Sequence, residues 1–289
     1  MSRSRVGEVL EAIKFSHTVF ALPFAVMGAF LAARGAPPLP TLGWIVVAMV
    51  GARTAAMAWN RVADADLDAV NPRTAGRAIP AGRLTRRGVA GFTLVAIAVF
   101  LLACWRLNPL CLALSPIVLL VLLGYPYAKR FTSLAHLILG VALGLAPLGA
   151  WVAVRGTFGE GVEAVLLLGL AVVTWVAGFD VIYACQDHAH DVTQPGLHSI
   201  PKRLGVRRAL LVARGLHLAA IALLVAVGVV ASLGVAYAIG VAVAAIVLHF
   251  EHRIVKPDDL SRVDLAFFTF NGFVAVAVGG LGVVDVLIR

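Results

Sequence analysis

The chain has 289 residues, of which 61% are apolar and 13% charged, and its formal net charge is +9. That balance excludes an ordinary soluble domain and makes the bilayer the main solvent of an all-α, multi-pass membrane protein. No nucleic-acid motif or aromatic-interleaved basic surface accompanies the positive charge, so it is expected at membrane edges, with no nucleic-acid partner.

Nine apolar runs of spanning character follow in order: 15–33, 42–59, 89–105, 110–124, 134–154, 162–179, 210–233, 236–250 and 265–288. A bilayer asks for roughly 20 residues per helix, so 110–124 and 236–250 are expected to extend into apolar neighbours. Residues 1–14 carry charges of both signs before a long apolar run, which argues that the first span is retained and not cleaved as a leader. Cys104, Cys111 and Cys185 lie in or beside apolar runs without metal-ligand spacing and read as small core residues.

Lys and Arg alternate between the two sides of a nine-span arrangement. One side collects Arg3, Arg5, Lys14, then Arg61, Arg73, Arg77, Arg83, Arg86, Arg87, then Lys129, Arg130, then Lys202, Arg203, Arg207, Arg208, and finally Arg253, Lys256, Arg262. The other side holds Arg34, Arg106, Arg155 and Arg289, while Arg53 and Arg214 fall inside runs. Cytoplasmic loops retain such an excess, so the N-terminus is expected in the cytoplasm.

Two acidic clusters end apolar runs on that same side. Asn60, Asp64 and Asp68 are spaced four apart and share one helix face, with Asp66 turned away. Like charges at this spacing repel unless a counter-charge lies between them, and hard oxygen donors suit Mg²⁺. The second cluster places Asp180, Asp187 and Asp191 on one helical face, with Tyr183 and Gln186 nearby. A pair of such faces makes a two-metal clamp for a diphosphate. Solvated membrane-edge carboxylates paired with loop arginines are the plainer alternative, and Asp66 is assigned to it.

The loops after the clusters echo each other, Ile79-Pro80 with Arg83, Leu84, Arg86 and Arg87 against Ile200-Pro201 with Arg203, Leu204, Arg207 and Arg208. This weak repeat suggests a single domain over 1–289 with acidic half-sites at about 60–87 and 180–208. Between them Tyr125 and Lys129 stand one helical turn apart, and Lys129 with Arg130 would supply positive charge to a diphosphate. His17 and His198 read as turn-stabilising or substrate-binding groups. His188 and His190 are expected to point away from Asp187, and His136, His217, His249 and His252 form no readable constellation.

The motifs Asn60-x3-Asp64-x3-Asp68, Tyr125-x3-Lys129 and Asp187-x3-Asp191 stand at the ends of the second, fourth and sixth runs. Together with the phrases at 14–23, 71–74 and 196–201, they resemble the UbiA superfamily of intramembrane prenyltransferases over most of the chain. Arg61 departs from the Asp that many members carry after the Asn. The resemblance implies a nine-helix bundle around a central cavity that opens to the cytoplasm and sideways to lipid. It implies transfer of a polyprenyl group from polyprenyl diphosphate to an aromatic hydroxy acid in quinone biosynthesis. The local phrases look most like the 4-hydroxybenzoate branch, and a dihydroxynaphthoate acceptor stays open.

In that frame Asp64 and Asp68 would hold one Mg²⁺ and Asp187 and Asp191 a second, with Asn60 coordinating or orienting the diphosphate. Tyr125 and Lys129 would contact the diphosphate or shield the cation. Arg73, Arg77 and Arg130 would bind diphosphate or the acid's carboxylate, Tyr183 would line the substrate, and Asp180 would support the second metal or orient the acceptor. The expected setting is a bacterial inner membrane, with a cytoplasmic active site and no obligatory protein partner. A cation-coupled secondary transporter is the competing class, but it predicts acidic residues at mid-membrane instead of at helix ends.

Overall fold

The computed structural model describes residues 20–289; the start of the first expected span and His17 lie outside them. The described residues are helical apart from turns and one isolated bridge between Lys256 and Asp259. In order the helices are α1 (Leu22–Ala33), α2 (Leu39–Ala63), α3 (Ala65–Val70), α4 (Arg86–Leu107), α5 (Pro109–Ala128) and α6 (Ala135–Arg155). They continue as α7 (Val162–Ala184), α8 (His188–Thr193), α9 (Ile200–Leu204), α10 (Val206–Val230), α11 (Val235–Ile254) and α12 (Val263–Leu287).

Among the described residues eight segments are long and apolar enough to cross a bilayer, and α1 adds a 12-residue apolar helix. The nine expected runs therefore appear as eight full spans plus α1, whose predicted beginning falls outside the described residues. The two short runs lengthen to 20 residues each, as α5 and α11, because the helices continue through their polar ends.

Local chemistry explains where the helices start and stop. Thr85 accepts the Gly88 N–H at the start of α4, and Asn108 accepts the Cys111 N–H at the start of α5. The Asn108 amide also donates to the Val152 carbonyl at 2.8 Å, tying the α4–α5 corner to α6. Gly156, at φ 67°, ends α6 in the left-handed conformation.

In a bilayer, helices gain from close backbone approach more than from hiding apolar surface, and small residues permit it. A Cβ on Gly140 would lie 2.4 Å from the Val173 carbonyl oxygen, and one on Gly144 2.7 Å from that of Gly169. These contacts press α6 onto α7, the two helices that carry His136 and Asp180. Gly140→Val is expected to destabilise the fold by about 1–3 kcal/mol through overpacking. A lowered unfolding temperature in detergent, against an unchanged one for the lipid-facing Leu218→Val control, checks this. Leu218 is 72% exposed, as are many outward apolar side chains of the bundle.

The start of α12 is underwound into a wide π-type turn at Ala266–Phe270. Asn271, fully buried, satisfies the carbonyls freed there by donating its amide to Ala266 O and Phe267 O at 3.2 and 3.3 Å. Its oxygen accepts the Trp175 indole N–H at 2.8 Å. The turn directs Phe267 against Phe179 and Tyr183, with ring centres 5.2 and 4.4 Å away, to form an aromatic wall.

Candidate active site

Both acidic arrays keep their spacing but not as unbroken helices. α2 ends at Ala63, the backbone turns at Asp64 (φ −93°, ψ 0°), and α3 resumes at Ala65. The Asp64 N–H still bonds the Asn60 carbonyl at 2.9 Å and the Asp68 N–H that of Asp64 at 2.8 Å, so the four-residue register survives the bend. Likewise α7 gives way to a tight turn over Cys185–Asp187 before α8 carries Asp191. The continuous helical face expected for Asp180, Asp187 and Asp191 is thus a bent one, and all three still line the same cavity.

That cavity, of about 320 Å³, is walled by Asn60, Asp64, Asp68, Arg73, Arg77, Tyr125, Lys129, Asp180, Tyr183, Asp187 and Asp191. Residues from both acidic arrays and from the α5 end therefore share one space. Arg130 does not line it. Its guanidinium donates to the Ala63 carbonyl at the end of α2 and stacks on Tyr127, outside the cavity and so away from the diphosphate contact expected for it. Asp66 also stays outside, with an 80% exposed side chain paired to Arg86, a bond that holds its carboxyl below the usual range. A fully solvated pair contributes little. Asp66→Asn is expected to change turnover less than twofold, as measured beside the cavity variants below.

Each cavity carboxylate has a partner: a cation at Asp64, Asp68 and Asp187, a hydroxyl at Asp191 and the His136 imidazole at Asp180. Lys129 Nζ donates to Asp64 Oδ2 at 2.7 Å and Asn60 Nδ2 to the same oxygen at 3.0 Å. Arg77 Nη1 bridges both Asp68 oxygens at 2.6 and 2.8 Å. Arg73 forks onto both Asp187 oxygens, with Nε at 2.8 Å, while Asn71 Nδ2 donates to Oδ1 at 2.9 Å. Arg73 Nη1 also donates to the Tyr183 hydroxyl at 2.9 Å. Burial alone would lower the Arg73 guanidinium, and its bonds to Asp187 and Tyr183 more than reverse that, so it stays charged. Ser199 Oγ reaches Asp191 at 3.4 Å.

The donor set suits a hard dication. Among the described residues no three His, Cys, Asp or Glu side chains gather into a ready-made cage. The carboxylates come instead as a pair in each half, and Mg²⁺ commonly takes one or two carboxylates with phosphate oxygens completing its shell. Asp64 Oδ1 is buried with no hydrogen-bond partner among the described residues, an oxygen such an ion would satisfy.

Four further residues to which the sequence reading gave no site role enter the cavity. His136, expected to belong to no constellation, places Nδ1 2.6 Å from Asp180 Oδ2. His190, expected to point away, lines the cavity because the turn at Cys185–Asp187 rotates α8. Asn71 grips Asp187 from the opposite half. Arg53 stands inside α2, and its buried Nε makes no hydrogen bond among the described residues. A cation within a span was the available signal for it. Arg61, the departure from the family pattern, also lines the cavity, with Nη1 at 3.5 Å from Asn60 Oδ1. His198 lines the cavity as well, and its backbone N–H donates to the Lys129 carbonyl at 2.7 Å. His217 meets His252 at 3.0 Å behind the aromatic wall, a second contact absent from the sequence reading.

A second, apolar chamber of about 310 Å³ adjoins the polar one and shares Arg53, Met57, Tyr125, Leu139 and Leu143 with it. Ile45, Phe100, Leu114, Val118 and Ala142 line it, and its wall residue Ile117 is 60% exposed on the outer surface of the bundle. The charged cavity therefore adjoins an apolar slot that reaches the lipid-facing surface.

The sequence over residues 21–273 matches the model of the UbiA prenyltransferase family. The chain belongs to this family. It is 33% identical over 187 residues to a 4-hydroxybenzoate solanesyltransferase of Synechocystis sp., covering 65% of this chain and 60% of that protein. It is 35% identical over 164 residues to a 4-hydroxybenzoate octaprenyltransferase of Tolumonas auensis, covering 56% of each. The chain thus spans less than two thirds of the curated relatives it matches. Among solved structures, a UbiA homologue from Aeropyrum pernix K1 superposes with TM-score 0.84 at 37% identity, covering 94% of this chain and 98% of that one. A UbiA homologue from Archaeoglobus fulgidus, bound to DMAPP and Mg²⁺, shares the fold with TM-score 0.66 at 16% identity and 94% coverage of this chain.

Proposed function

We propose that this UbiA-family protein transfers a polyprenyl group from a polyprenyl diphosphate to an aromatic hydroxy acid, foremost 4-hydroxybenzoate, in quinone biosynthesis. The observation that carries this reading is the junction of the polar cavity with the apolar chamber, where Arg53 stands with an unsatisfied buried nitrogen. A molecule with a dianionic head and a long hydrocarbon tail fits both compartments at once. A small acid with one carboxylate answers Arg53. The 4-hydroxybenzoate polyprenyltransferases among its relatives support the acceptor class.

Asp64 and Asp68, with Asn60, would hold one Mg²⁺, and Asp187 with Asp191 another. When bound, the ions neutralise charge on the departing diphosphate. Lys129, Arg73 and Arg77, which pair with these carboxylates in the structure, are positioned to turn their donors onto phosphate oxygens as the head group enters. Tyr125, which lines both the polar and the apolar chamber, would border the carbon from which diphosphate leaves. The aromatic wall of Phe179, Tyr183 and Phe267 excludes water from the allylic cation until the acceptor ring attacks it. The distribution of Lys and Arg between loops supports a cytoplasmic mouth in a bacterial inner membrane.

The test uses purified protein in proteoliposomes with Mg²⁺, a labelled polyprenyl diphosphate and either 4-hydroxybenzoate or a dihydroxynaphthoate. Prenylated 4-hydroxybenzoate is the expected product. Accumulation of unaltered donor or acid inside the vesicles, with no new carbon–carbon bond, would indicate a transporter and sink the proposal.

A further inference from the structure

Asp180 lies seven residues before Asp187 on α7, about 10 Å deeper by helical rise. An ion bound at Asp187 and Asp191 holds its ligands at about 2 Å, so Asp180 is out of its reach. Arg53 is likewise seven residues before Asn60 on α2, a matching depth on the other wall. Both charged groups line the cavity together with Tyr125, yet they form no ion pair with each other. The polar cavity therefore has two layers: a diphosphate layer at the helix ends and a deeper one holding Arg53, Tyr125, Asp180 and His136.

Within that deeper layer the hydrogen bonds define roles. The Ile200 N–H donates to His136 Nε2 at 3.4 Å, so Nε2 carries a lone pair and the imidazole proton, assigned from this network, sits on Nδ1. Nδ1 then donates to Asp180 Oδ2 at 2.6 Å. Both imidazole nitrogens are thereby occupied, and the His136 side chain is only 6% exposed. Asp180 is 24% exposed towards the cavity, and among the described residues His136 is its one hydrogen-bond partner, leaving Oδ1 open.

Resting on the functional reading above, we infer that Asp180 is the catalytic base that takes the ring proton, and that His136 is the residue positioning it. An aromatic acid with its carboxylate on Arg53 presents its ring in this layer. The allylic carbon–oxygen bond breaks and its electron pair leaves with diphosphate. The ring carbon beside the phenolic hydroxyl forms the new carbon–carbon bond to the cation. The electrons of that carbon's C–H bond return to the ring, and its proton passes to Asp180 Oδ1 and then to solvent. The Nδ1–H of His136 keeps the carboxylate turned with that oxygen towards the ring.

The experiment compares ring-deuterated with unlabelled 4-hydroxybenzoate in the proteoliposome assay. Proton loss is fast in the unaltered protein, so no isotope effect is expected there. Asp180→Asn is expected to lower kcat by about 10²-fold or more and to unmask a primary isotope effect. The Mg²⁺ concentration for half-maximal rate should stay where it was. His136→Asn keeps a donor at the Nδ1 position and should stay within a fewfold of the parent. His136→Gln keeps only the acceptor for Ile200 and should reproduce the slow, isotope-sensitive phenotype. A slow Asp180→Asn without an isotope effect, or activity in His136→Gln but not in His136→Asn, overturns the inference while prenylation by the parent stands. Absence of prenylated acid from the parent overturns the functional reading and this inference with it.

Discussion

Asp64→Asn is expected to reduce prenyl transfer by at least about 10²-fold and to raise the Mg²⁺ concentration needed for half-maximal rate. Asp64 is the most completely enclosed of the cavity carboxylates, its side chain only 4% exposed, and it combines two roles. One oxygen takes both Lys129 and Asn60, while the other has no partner among the described residues. An amide would keep the volume, lose the charge that balances Lys129 and supply a weaker metal donor. Asp187→Asn should behave similarly, since it removes the anchor for Arg73 and Asn71 as well as a donor of the second half. Turnover against Mg²⁺ concentration, with thermal unfolding as a control for folding, reads both changes. Full activity in either variant would discredit the metal assignment for that half.

Replacing Arg53 by Gln should raise KM for 4-hydroxybenzoate about 10- to 100-fold while leaving KM for the prenyl donor unchanged. The magnitude follows from about 1.5–3 kcal/mol for a hydrogen bond to a charged group. Arg53 is placed for this because it joins the polar and apolar compartments and lacks a partner for its buried Nε. Phenol, which lacks the carboxylate, provides the other corner of the cycle: parent and variant should use it equally poorly. An Arg53→Lys enzyme should recover only part of the loss, because an ammonium cannot offer the planar fork. If phenol distinguishes parent from variant as strongly as the acid does, Arg53 acts elsewhere.

The membrane character, the helical class and the separation of Asp64 and Asp68 from Asp66 were legible because each depends on local periodicity. A four-residue spacing survives the bend at Asp64, since the backbone bonds on both sides of the turn keep their register. The bend itself left no mark in composition, and neither did the turn that swings His190 into the cavity. His136 escaped notice for a different reason: its partners, Asp180 on α7 and Ile200 at the start of α9, lie 44 and 64 residues away and meet it only in the folded bundle. Arg53 was visible as a cation inside a span, but its meaning depends on which compartment borders it, and that is set by helix placement. Arg130 looked equivalent to Lys129 in sequence. One residue of helical rotation sends it to the end of α2 and not into the cavity.

The apolar chamber, with Ile117 exposed on the outer surface of the bundle, changes what concentration means for this protein. In the proposed reaction a donor whose tail lies in the bilayer reaches the slot by lateral diffusion in two dimensions, so its activity is a mole fraction among lipids. Adding more lipid at fixed donor dilutes it, although the donor's bulk molarity is unchanged. The acid arrives from water in three dimensions and obeys ordinary molarity. The two substrates of one reaction are thus counted in different units, and the rate depends on membrane area for one of them alone.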